Sequence, residues 1–191
     1  MNPRLVLASQ SPRRKELLGL LGVPFEIIPA EIAEIPRDGE PPEQFVVRAA
    51  HEKGIEVASR VSNSVVLSAD TVVTIDGMIL GKPSDEADAV RMLQRLSGRQ
   101  HRVYTAVCVI NQLNSEVFQG VEHTVVWFNP MTSVQIEDYV RREHVLDKAG
   151  AYAIQGFASV YIAKIEGNYA NVMGLPMPLV YDLLGRAKLY F

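Results

Sequence analysis

The pattern of apolar and polar positions predicts alternating strands and helices. Apolar runs bounded by turn residues predict strands, and apolar positions three or four residues apart predict helices with one buried face. The predicted strands cover residues 5–7, 25–28, 65–75, 78–80, 102–110, 117–128 and 158–165. The predicted helices cover residues 12–21, 43–60, 134–142 and 179–184, with a further helix running from a cap at Ser84 or Asp85 to Ser97. This order, with one hairpin and two adjacent long strands, predicts an α/β fold with a mixed sheet.

Three segments between these elements are predicted to be loops. Residues 29–42 are rich in proline and acidic residues and are typical of a solvated connector. Residues 147–156 mix small and polar residues in a pattern that fits neither a helix nor a strand, which predicts a loop packed closely against another element. Residues 171–176 are predicted to be a second loop because they contain glycine and proline.

The start of the first helix carries an unusual pair of cations. Ser11 is placed as its N-cap and Pro12 as its first residue, so Arg13 and Arg14 fall in the first turn. Two cations are unfavourable there because the helix dipole already presents positive potential. A bound polyanion would compensate, since serine hydroxyls, backbone N–H groups and two guanidinium groups converge. A solvated arginine pair is the alternative.

An acidic residue, Asp70, lies inside an otherwise apolar strand. A buried carboxylate is rare unless it is paired, hydrogen-bonded or bound to a metal. The Asp76-Gly77 turn pairs Ile75 with Met78, and this register brings Lys82 close to Asp70. Strict alternation places Lys82 on the opposite face of the strand, so the register predicts proximity rather than an ion pair.

Lys53 lies on the apolar stripe of its helix. The stripe includes Val46 and Ala49, and a lysine on this side needs either an acidic partner or a cleft. The favoured interpretation from the helix alone is that the side chain extends outward to solvent.

Composition and charge exclude several classes. The chain has 191 residues, of which 48% are hydrophobic and 21% charged, as in ordinary globular proteins. A net charge of −3 provides no general basic field for nucleic acid or an anionic membrane, so neither is an expected partner. The single cysteine, Cys108, lies in an apolar run and is predicted to be a core residue. No signal peptide or membrane span is recognisable, and a cytoplasmic location is the expectation.

Familiar catalytic motifs are absent from the sequence. It contains no P-loop, no GxGxxG and no GxSxG, and its four histidines lack metal-ligand spacing and are predicted at the surface or at sheet edges. What remains is a set of cations with acids nearby. Such a set is suited to holding a polyphosphate, with a carboxylate available to bind Mg²⁺ or activate water.

Several blocks together resemble the Maf family of nucleoside triphosphate pyrophosphatases. They are Ala8-Ser9-Gln10-Ser11-Pro12-Arg13-Arg14, Ser68-Ala69-Asp70-Thr71-Val72-Val73, Gly81-Lys82-Pro83, residues 147–156 and Asn171-Val172-Met173-Gly174-Leu175-Pro176. The blocks follow the family order over essentially the whole chain. The resemblance implies one domain over residues 1–191, with two lobes around a deep cleft in an elongated α/β fold shared with inosine triphosphate pyrophosphatases. It also implies cleavage between the α- and β-phosphates of a nucleotide, with Mg²⁺ or Mn²⁺ as cofactor.

The resemblance also assigns roles to residues. Asp70 would be the general base, and Glu34 and Asp70 would bind the metal. The phosphate-binding residues would be Ser9, Ser11, Arg13, Arg14, Lys53 and Lys82.

Within the family, the branch acting on dTTP and UTP is the better match. Arg13, Thr71 and Gln155 match its specificity positions, and a glutamine amide suits the imide edge of thymine or uracil. Ala33 replaces an acid common in relatives, which removes one possible metal ligand, and Ala153 replaces a common glycine. The alternatives are the 7-methyl-GTP branch and a non-catalytic nucleotide-binding regulator of septum formation. A homodimer is compatible with the family.

Overall fold

The computed structural model describes residues 3–189. Its strands are β1 (Arg4–Leu7), β2 (Phe25–Ile27), β3 (Ser64–Ile75), β4 (Met78–Leu80), β5 (Gln100–Asn111), β6 (Glu116–Phe128) and β7 (Ile162–Glu166). Its α-helices are α1 (Pro12–Gly19), α2 (Pro42–Ala58), α3 (Glu86–Leu96), α4 (Ser133–Arg142), α5 (Tyr169–Met173) and α6 (Met177–Arg186). Across residues 3–189, none of the helices has the length and apolar character needed to cross a membrane.

Within the described range, the strands form one mixed sheet. The strand order is β2-β1-β3-β5-β6-β7, and β4 pairs with β3 outside this path. β1 is parallel to both β2 and β3, because α1 and α2 provide the crossover connections that parallel neighbours require. The remaining pairs are antiparallel, as expected for strands joined by short turns. The predicted α/β fold with a mixed sheet is confirmed.

The two faces of the sheet carry separate hydrophobic cores. On one face, α2 packs its buried residues against Val66 and Cys108, so the cysteine is a core residue as predicted. On the other face, Leu7 and Leu67 belong to a larger core with α1, α3, α4 and α6. Because side chains alternate along a strand, neighbouring residues of β3 point toward different cores.

One edge of β3 is left open between its two partners on that side. β1 pairs with Ser64–Leu67, and β4 pairs with Val73–Ile75. Residues 68–72 therefore lie between the two ladders on this edge. Asp70 and Thr71 are in this interval and point to opposite faces. Two polar side chains therefore lie where this edge of β3 is unpaired.

Two predicted segments differ from the structure. The strand predicted for residues 158–165 begins only at Ile162, because Phe157–Val160 forms a 3-10 turn. The rings of Phe157 and Tyr161 pack with Tyr139 of α4, and this aromatic contact holds the turn off the sheet.

The second difference is a helix in place of a predicted loop. Residues 171–176 were expected to lack regular structure, but α5 occupies Tyr169–Met173. Asn168 caps its start by accepting from the Asn171 N–H, and Gly174 ends it in the left-handed conformation. The two caps satisfy both ends of a helix too short to show apolar periodicity.

Candidate active site

A cleft of 790 Å³ lies beside the open edge of β3. Its lining comes from the end of β1, the start of α1, the segment of residues 29–36, α2, β3 and the segments of residues 147–155 and 172–174. All ten residues proposed from the sequence line this cleft: Ser9, Ser11, Arg13, Arg14, Glu34, Lys53, Asp70, Thr71, Lys82 and Gln155. Residues separated by more than 140 positions in the chain are thus brought to one place.

The centre of the cleft is a lysine shared by two carboxylates. Lys53 Nζ lies 2.6 Å from Asp70 Oδ1 and 2.8 Å from Glu34 Oε1. Lys53 and Asp70 are buried, with only 7% and 3% of their surfaces exposed, whereas Glu34 is partly open to solvent. Asp70 points to the face that α2 covers, which is why a residue of that helix reaches it.

The interpretation of Lys53 is therefore wrong, whereas Lys82 lines the same cleft as Asp70, in keeping with predicted proximity rather than an ion pair. The helix pattern alone favours a Lys53 side chain that extends into solvent, but the side chain points inward because it forms ion pairs with two acids. The β3–β4 ladder ends at Leu80, so Lys82 lies beyond the pairing that was extrapolated to it. Lys82 lines the cleft, yet the ammonium bound to Asp70 is that of Lys53.

Burial and the charge of Lys53 shift the pKa values of the two acids in opposite directions. Burial raises the pKa of Asp70, although the ammonium of Lys53 opposes this shift. Burial also disfavours the charged form of Glu34, but the charge and hydrogen bond of Lys53 outweigh it, so the pKa of Glu34 is lowered. Burial thus favours the protonated form of Asp70, whereas Lys53 favours the charged form of Glu34.

The two arginines of α1 have different partners. Arg14 donates from Nε to the Gly174 carbonyl (2.8 Å), from Nη1 to Ser9 Oγ (3.3 Å) and from Nη2 to Thr71 Oγ1 (3.0 Å). Arg13 instead forms an ion pair with Asp147 at 3.4 Å. The predicted N-cap is confirmed, because Ser11 accepts from the Arg14 N–H.

An aromatic cluster supports the cleft wall beside Gln155. Tyr152 lines the cleft, and its hydroxyl lies 2.7 Å from His101 Nε2. Both rings pack edge-on against Phe128. His101 was predicted at the surface or a sheet edge, which is wrong: only 2% of it is exposed, because β5 turns this residue into the main core.

The carboxylates of Glu34 and Asp70 fit a hard divalent cation. Their oxygens already converge on one positive centre, the ammonium of Lys53. Among residues 3–189, no group of three or more His, Cys, Asp or Glu side chains could hold a metal. Two carboxylates completed by substrate phosphates are a common arrangement for Mg²⁺, so the donor set is suitable for Mg²⁺ or Mn²⁺.

Some residues of the site were not identified from the sequence. Asp147 pairs with Arg13, and the Gly174 carbonyl accepts from Arg14. Asp147 lies in a segment already predicted to pack closely, but its partner is 134 residues away. A backbone carbonyl has no sequence signature, so only the fold could show the role of Gly174.

The comparison with protein families shows which family the chain belongs to. The family model described as Maf-like protein matches residues 4–187. This chain belongs to the Maf family. A dTTP/UTP pyrophosphatase of Syntrophomonas wolfei subsp. wolfei is 46% identical over 94% of this chain and 95% of its own. A dTTP/UTP pyrophosphatase of Clostridioides difficile is 46% identical over 98% of this chain and 95% of its own.

Solved structures add a more distant similarity to this Maf-family chain. A HAM1 protein from Coxiella burnetii is 17% identical, with a TM-score of 0.42 over 64% of this chain and 70% of its own. A similarity with so low a TM-score and identity supports no conclusion about the candidate site.

The Maf-family cleft combines the features needed to handle a polyphosphate. Arg13, Arg14, Lys53 and Lys82 supply positive charge, and Ser9 and Ser11 supply hydroxyl groups. The hydroxyl oxygen of Ser9 accepts from Arg14 and from the Ser11 N–H, so its own proton can be donated to a ligand. The chemistry available is charge neutralisation and positioning around one buried carboxylate.

Proposed function

We propose that this chain hydrolyses dTTP and UTP to the nucleoside monophosphate and pyrophosphate. The proposal rests on one observation above all: a buried carboxylate with a raised pKa lies in a cleft lined by five cationic side chains. Curated relatives named dTTP/UTP pyrophosphatase, aligned over nearly the full chain, support the same substrates.

In the proposed mechanism, Asp70 activates the attacking water. The water oxygen forms a bond to the α-phosphorus, its proton passes to an Asp70 carboxylate oxygen, and the bond from the α-phosphorus to the bridging oxygen breaks. Pyrophosphate leaves with that oxygen and its electron pair. Lys53 holds Asp70 in place through their 2.6 Å contact, so the carboxylate cannot turn away from the water.

The cations neutralise the charge that develops on the leaving pyrophosphate. Arg14 offers a guanidinium held by three protein contacts, and Lys82 is exposed in the cleft with its ammonium available. Preorganised charges of this kind require no reorganisation during the reaction. Glu34 and Asp70 would hold the divalent metal, which when bound supplies additional charge neutralisation to the phosphates.

Gln155 is the proposed base-recognition residue. It is exposed in the cleft, and its amide can both donate to and accept from a pyrimidine ring edge. The resemblance also assigned Arg13 and Thr71 to specificity. Arg13 pairs with Asp147 and Thr71 accepts from Arg14, and both line the same cleft as Gln155.

The deciding experiment is pyrophosphate release from dTTP, UTP, CTP, GTP and 7-methyl-GTP with Mg²⁺ or Mn²⁺. We expect turnover of dTTP and UTP, and we expect Asp70→Asn to reduce it by at least about 10²-fold while nucleotide binding persists. Parent-level turnover in Asp70→Asn would contradict the assigned base. Turnover of 7-methyl-GTP alone would contradict the substrate, and nucleotide binding without any turnover would favour the regulator.

The base preference is tested with Gln155→Ala. We expect the ratio of dTTP to GTP turnover to fall by about tenfold, because one well-placed polar contact is worth this much discrimination. Gln44→Ala is the matched control, since Gln44 is exposed on α2 and does not line the cleft. An unchanged ratio in Gln155→Ala would contradict the assignment.

A further inference from the structure

We propose that Arg48 is a positioning residue that holds the segment of residues 29–41 against α2 and thereby keeps the Glu34 carboxylate in the cleft. The proposal rests on the proposed function, because Glu34 acts there as a ligand of the divalent metal. It is carried by the contacts that one guanidinium makes at two places in this segment, Ile35 and Glu40.

The position of Glu34 depends on contacts between side chains. Residues 29–41 are all described by the structure, and they form no helix or strand. Glu34 itself contributes the ion pair with Lys53, and its side chain is 38% exposed. Because every ordered residue loses conformational entropy, one partly exposed ion pair does not suffice to hold a segment of this length. Further contacts with α2 are needed.

Arg48 supplies such contacts on the C-terminal side of Glu34. Its Nε and Nη2 donate to the two carboxylate oxygens of Glu40, at 2.7 and 2.6 Å. Its Nη2 also donates to the Ile35 carbonyl at 3.0 Å. Ile35 directly follows Glu34 in the chain, so this bond fixes the backbone beside the acid. The Glu40 N–H donates to the Arg37 carbonyl, which closes the chain between the two attachment points.

Arg48 is itself held firmly on α2. Its Nη1 donates to both carboxylate oxygens of Glu52, one helical turn further on, at 3.1 and 3.0 Å. Its guanidinium lies 5.5 Å from the centre of the Phe45 ring, which lines the cleft. Only 19% of the Arg48 side chain and 9% of the Glu40 side chain are exposed. A bidentate pair with this geometry and little exposure is stronger than an ordinary surface ion pair.

Arg60 makes similar contacts at the start of the same segment. Its Nη2 donates to the Pro29 carbonyl at 2.5 Å, and it forms an i,i+4 ion pair with Glu56. Arg48 likewise combines a backbone carbonyl with an i,i+4 pair. The two arginines differ in where they hold the segment, because Pro29 lies five residues before Glu34. Arg60→Met is therefore the matched control for Arg48→Met.

The first test is hydrogen exchange of the backbone N–H groups of residues 31–40, measured by mass spectrometry. We expect Arg48→Met to speed exchange in this segment about tenfold, because the segment loses its attachments at Ile35 and Glu40. Exchange in β3 should stay at the parent rate, which separates local release of the segment from general destabilisation. Parent-level exchange of residues 31–40 in Arg48→Met would overturn the proposal.

Turnover shows whether Arg48 acts through Glu34. For dTTP with Mg²⁺, kcat should fall about tenfold in Arg48→Met, since contacts that orient a metal ligand are worth this much. In a Glu34→Gln background the same change should cost less than about twofold, because the group that Arg48 positions is already lost. A loss of the same size in both backgrounds would overturn the proposal.

The control separates the position of Glu34 from attachment of the segment in general. Arg60→Met should leave kcat within about twofold of the parent, because Glu34 keeps Lys53 and Ile35 keeps Arg48. A loss in Arg60→Met equal to that in Arg48→Met would contradict the proposal, since attachment anywhere in the segment would then have the same effect.

Glu40→Gln tests the same contact from the other side. It keeps Arg48 and its bond to Ile35 but removes the charge of the partner, so exchange of residues 31–40 should be about threefold faster than in the parent. If Arg48→Met does not fold, this variant decides, and parent-level exchange in Glu40→Gln would then overturn the proposal. Exchange needs neither nucleotide nor hydrolysis. Failure of the proposed function would appear as a parent without turnover, whereas failure of this inference would appear as unchanged exchange.

Discussion

At the scale of single residues, Lys53 determines the charge state of the site. Its ammonium is buried and contacts Asp70 at 2.6 Å and Glu34 at 2.8 Å. Without this cation, two carboxylates would face each other in a place where water screens them poorly. A lysine that the helix pattern alone assigns to solvent is thus the group that makes two acids compatible with one cleft.

Replacing Lys53 should be costly to stability. We expect Lys53→Met to lower the free energy of unfolding by about 3 kcal/mol, because a buried carboxylate loses its partner. Arg91→Met is the matched control: Arg91 forms an exposed pair with Asp88 on α3, and such pairs contribute less than about 1 kcal/mol. Urea denaturation of both variants gives the comparison.

A double-mutant cycle tests whether the loss of stability in Lys53→Met comes from the lost pair between Lys53 and Asp70. Asp70→Asn added to Lys53→Met removes the uncompensated charge, so the double variant should be less destabilised than the sum of the single changes by at least about 1 kcal/mol. Additive effects would mean that Lys53 stabilises the fold through packing of its stem instead of through Asp70.

His101 predicts a pH dependence of stability. Burial lowers its pKa from 6.5 to about 4, so the folded chain keeps the ring neutral where the unfolded chain protonates it. The contribution of the neutral His101 ring to the free energy of unfolding is complete above pH 6.5 and is lost as the pH falls toward 4. The linked loss is about 3 kcal/mol, since one pKa unit corresponds to about 1.4 kcal/mol.

This pH dependence is tested by measuring the free energy of unfolding of the parent and of His101→Gln between pH 7 and pH 4. The parent should lose about 3 kcal/mol more than the variant over that range, because glutamine does not titrate. Gln44→Ala, which changes an exposed residue of α2 that does not titrate, should follow the parent curve. Parallel curves for the parent and His101→Gln would contradict the attribution to this residue.

At the scale of elements, the short 3-10 segment Ala149–Ala151 connects the core to the cleft. Gly150 has φ of +68°, donates its N–H to the Gly81 carbonyl, and packs so closely on β3 that a Cβ would lie 2.9 Å from Val73 Cγ2. Tyr152 and Gln155 follow it in the chain and line the cleft. The position of this segment on β3 therefore sets the position of the proposed base-recognition residue.

Gly150→Ala should therefore affect both stability and substrate preference. We expect a loss of about 2–3 kcal/mol, since backbone strain adds to the contact with Val73, together with a shifted dTTP to GTP ratio. Gly77→Ala is the matched control, because Gly77 has a similar φ of +76° but open space around its Cα. It should cost about 1 kcal/mol and leave the ratio unchanged. Thermal unfolding and turnover assays separate the two effects.

The elements that could be predicted are those whose signals are local. β3 and α2 have long apolar patterns, and the Asp76-Gly77 turn correctly paired Ile75 with Met78. α5 could not be predicted from periodicity, because five residues complete little more than one turn and its stability comes from its caps. Residues 157–160 follow aromatic contacts with α4, which no local pattern contains.

The candidate site shows the same difference between features with a local sequence signal and features that depend on distant residues. A buried acid and paired arginines are anomalies in their own elements and indicated part of the cleft lining, whereas Glu34 and Gln155 were indicated only by the resemblance to the Maf family. The sequence could not indicate their partners: Lys53 reaches Asp70 from a different element, and Arg14 reaches a backbone carbonyl 160 residues away. Which groups meet depends on the crossover that lays α2 over one face of the sheet.

At the scale of the whole molecule, a chain of net charge −3 must attract a highly charged anion. The cleft makes this possible because its five cations outnumber its three acids: Arg13, Arg14, Lys53, Lys82 and Lys148 against Glu34, Asp70 and Asp147. Exposed carboxylates elsewhere contribute little at this distance, because charges more than about 8 Å apart are largely screened at physiological salt. The local field of the cleft, and not the overall charge, governs binding.

This argument predicts thermal stabilisation by a base-free polyphosphate. Tripolyphosphate at about a hundred times its Kd should raise Tm by about 5–10 °C, and added NaCl should reduce that shift. At the same concentration, Lys82→Gln should show a shift smaller by about 2–4 °C, because one exposed cation of the cleft is lost. Lys15→Gln removes an exposed cation of α1 that does not line the cleft, and its shift should match the parent. Equal losses in both variants would mean that tripolyphosphate responds to the overall charge, and binding would then not be localised to the cleft.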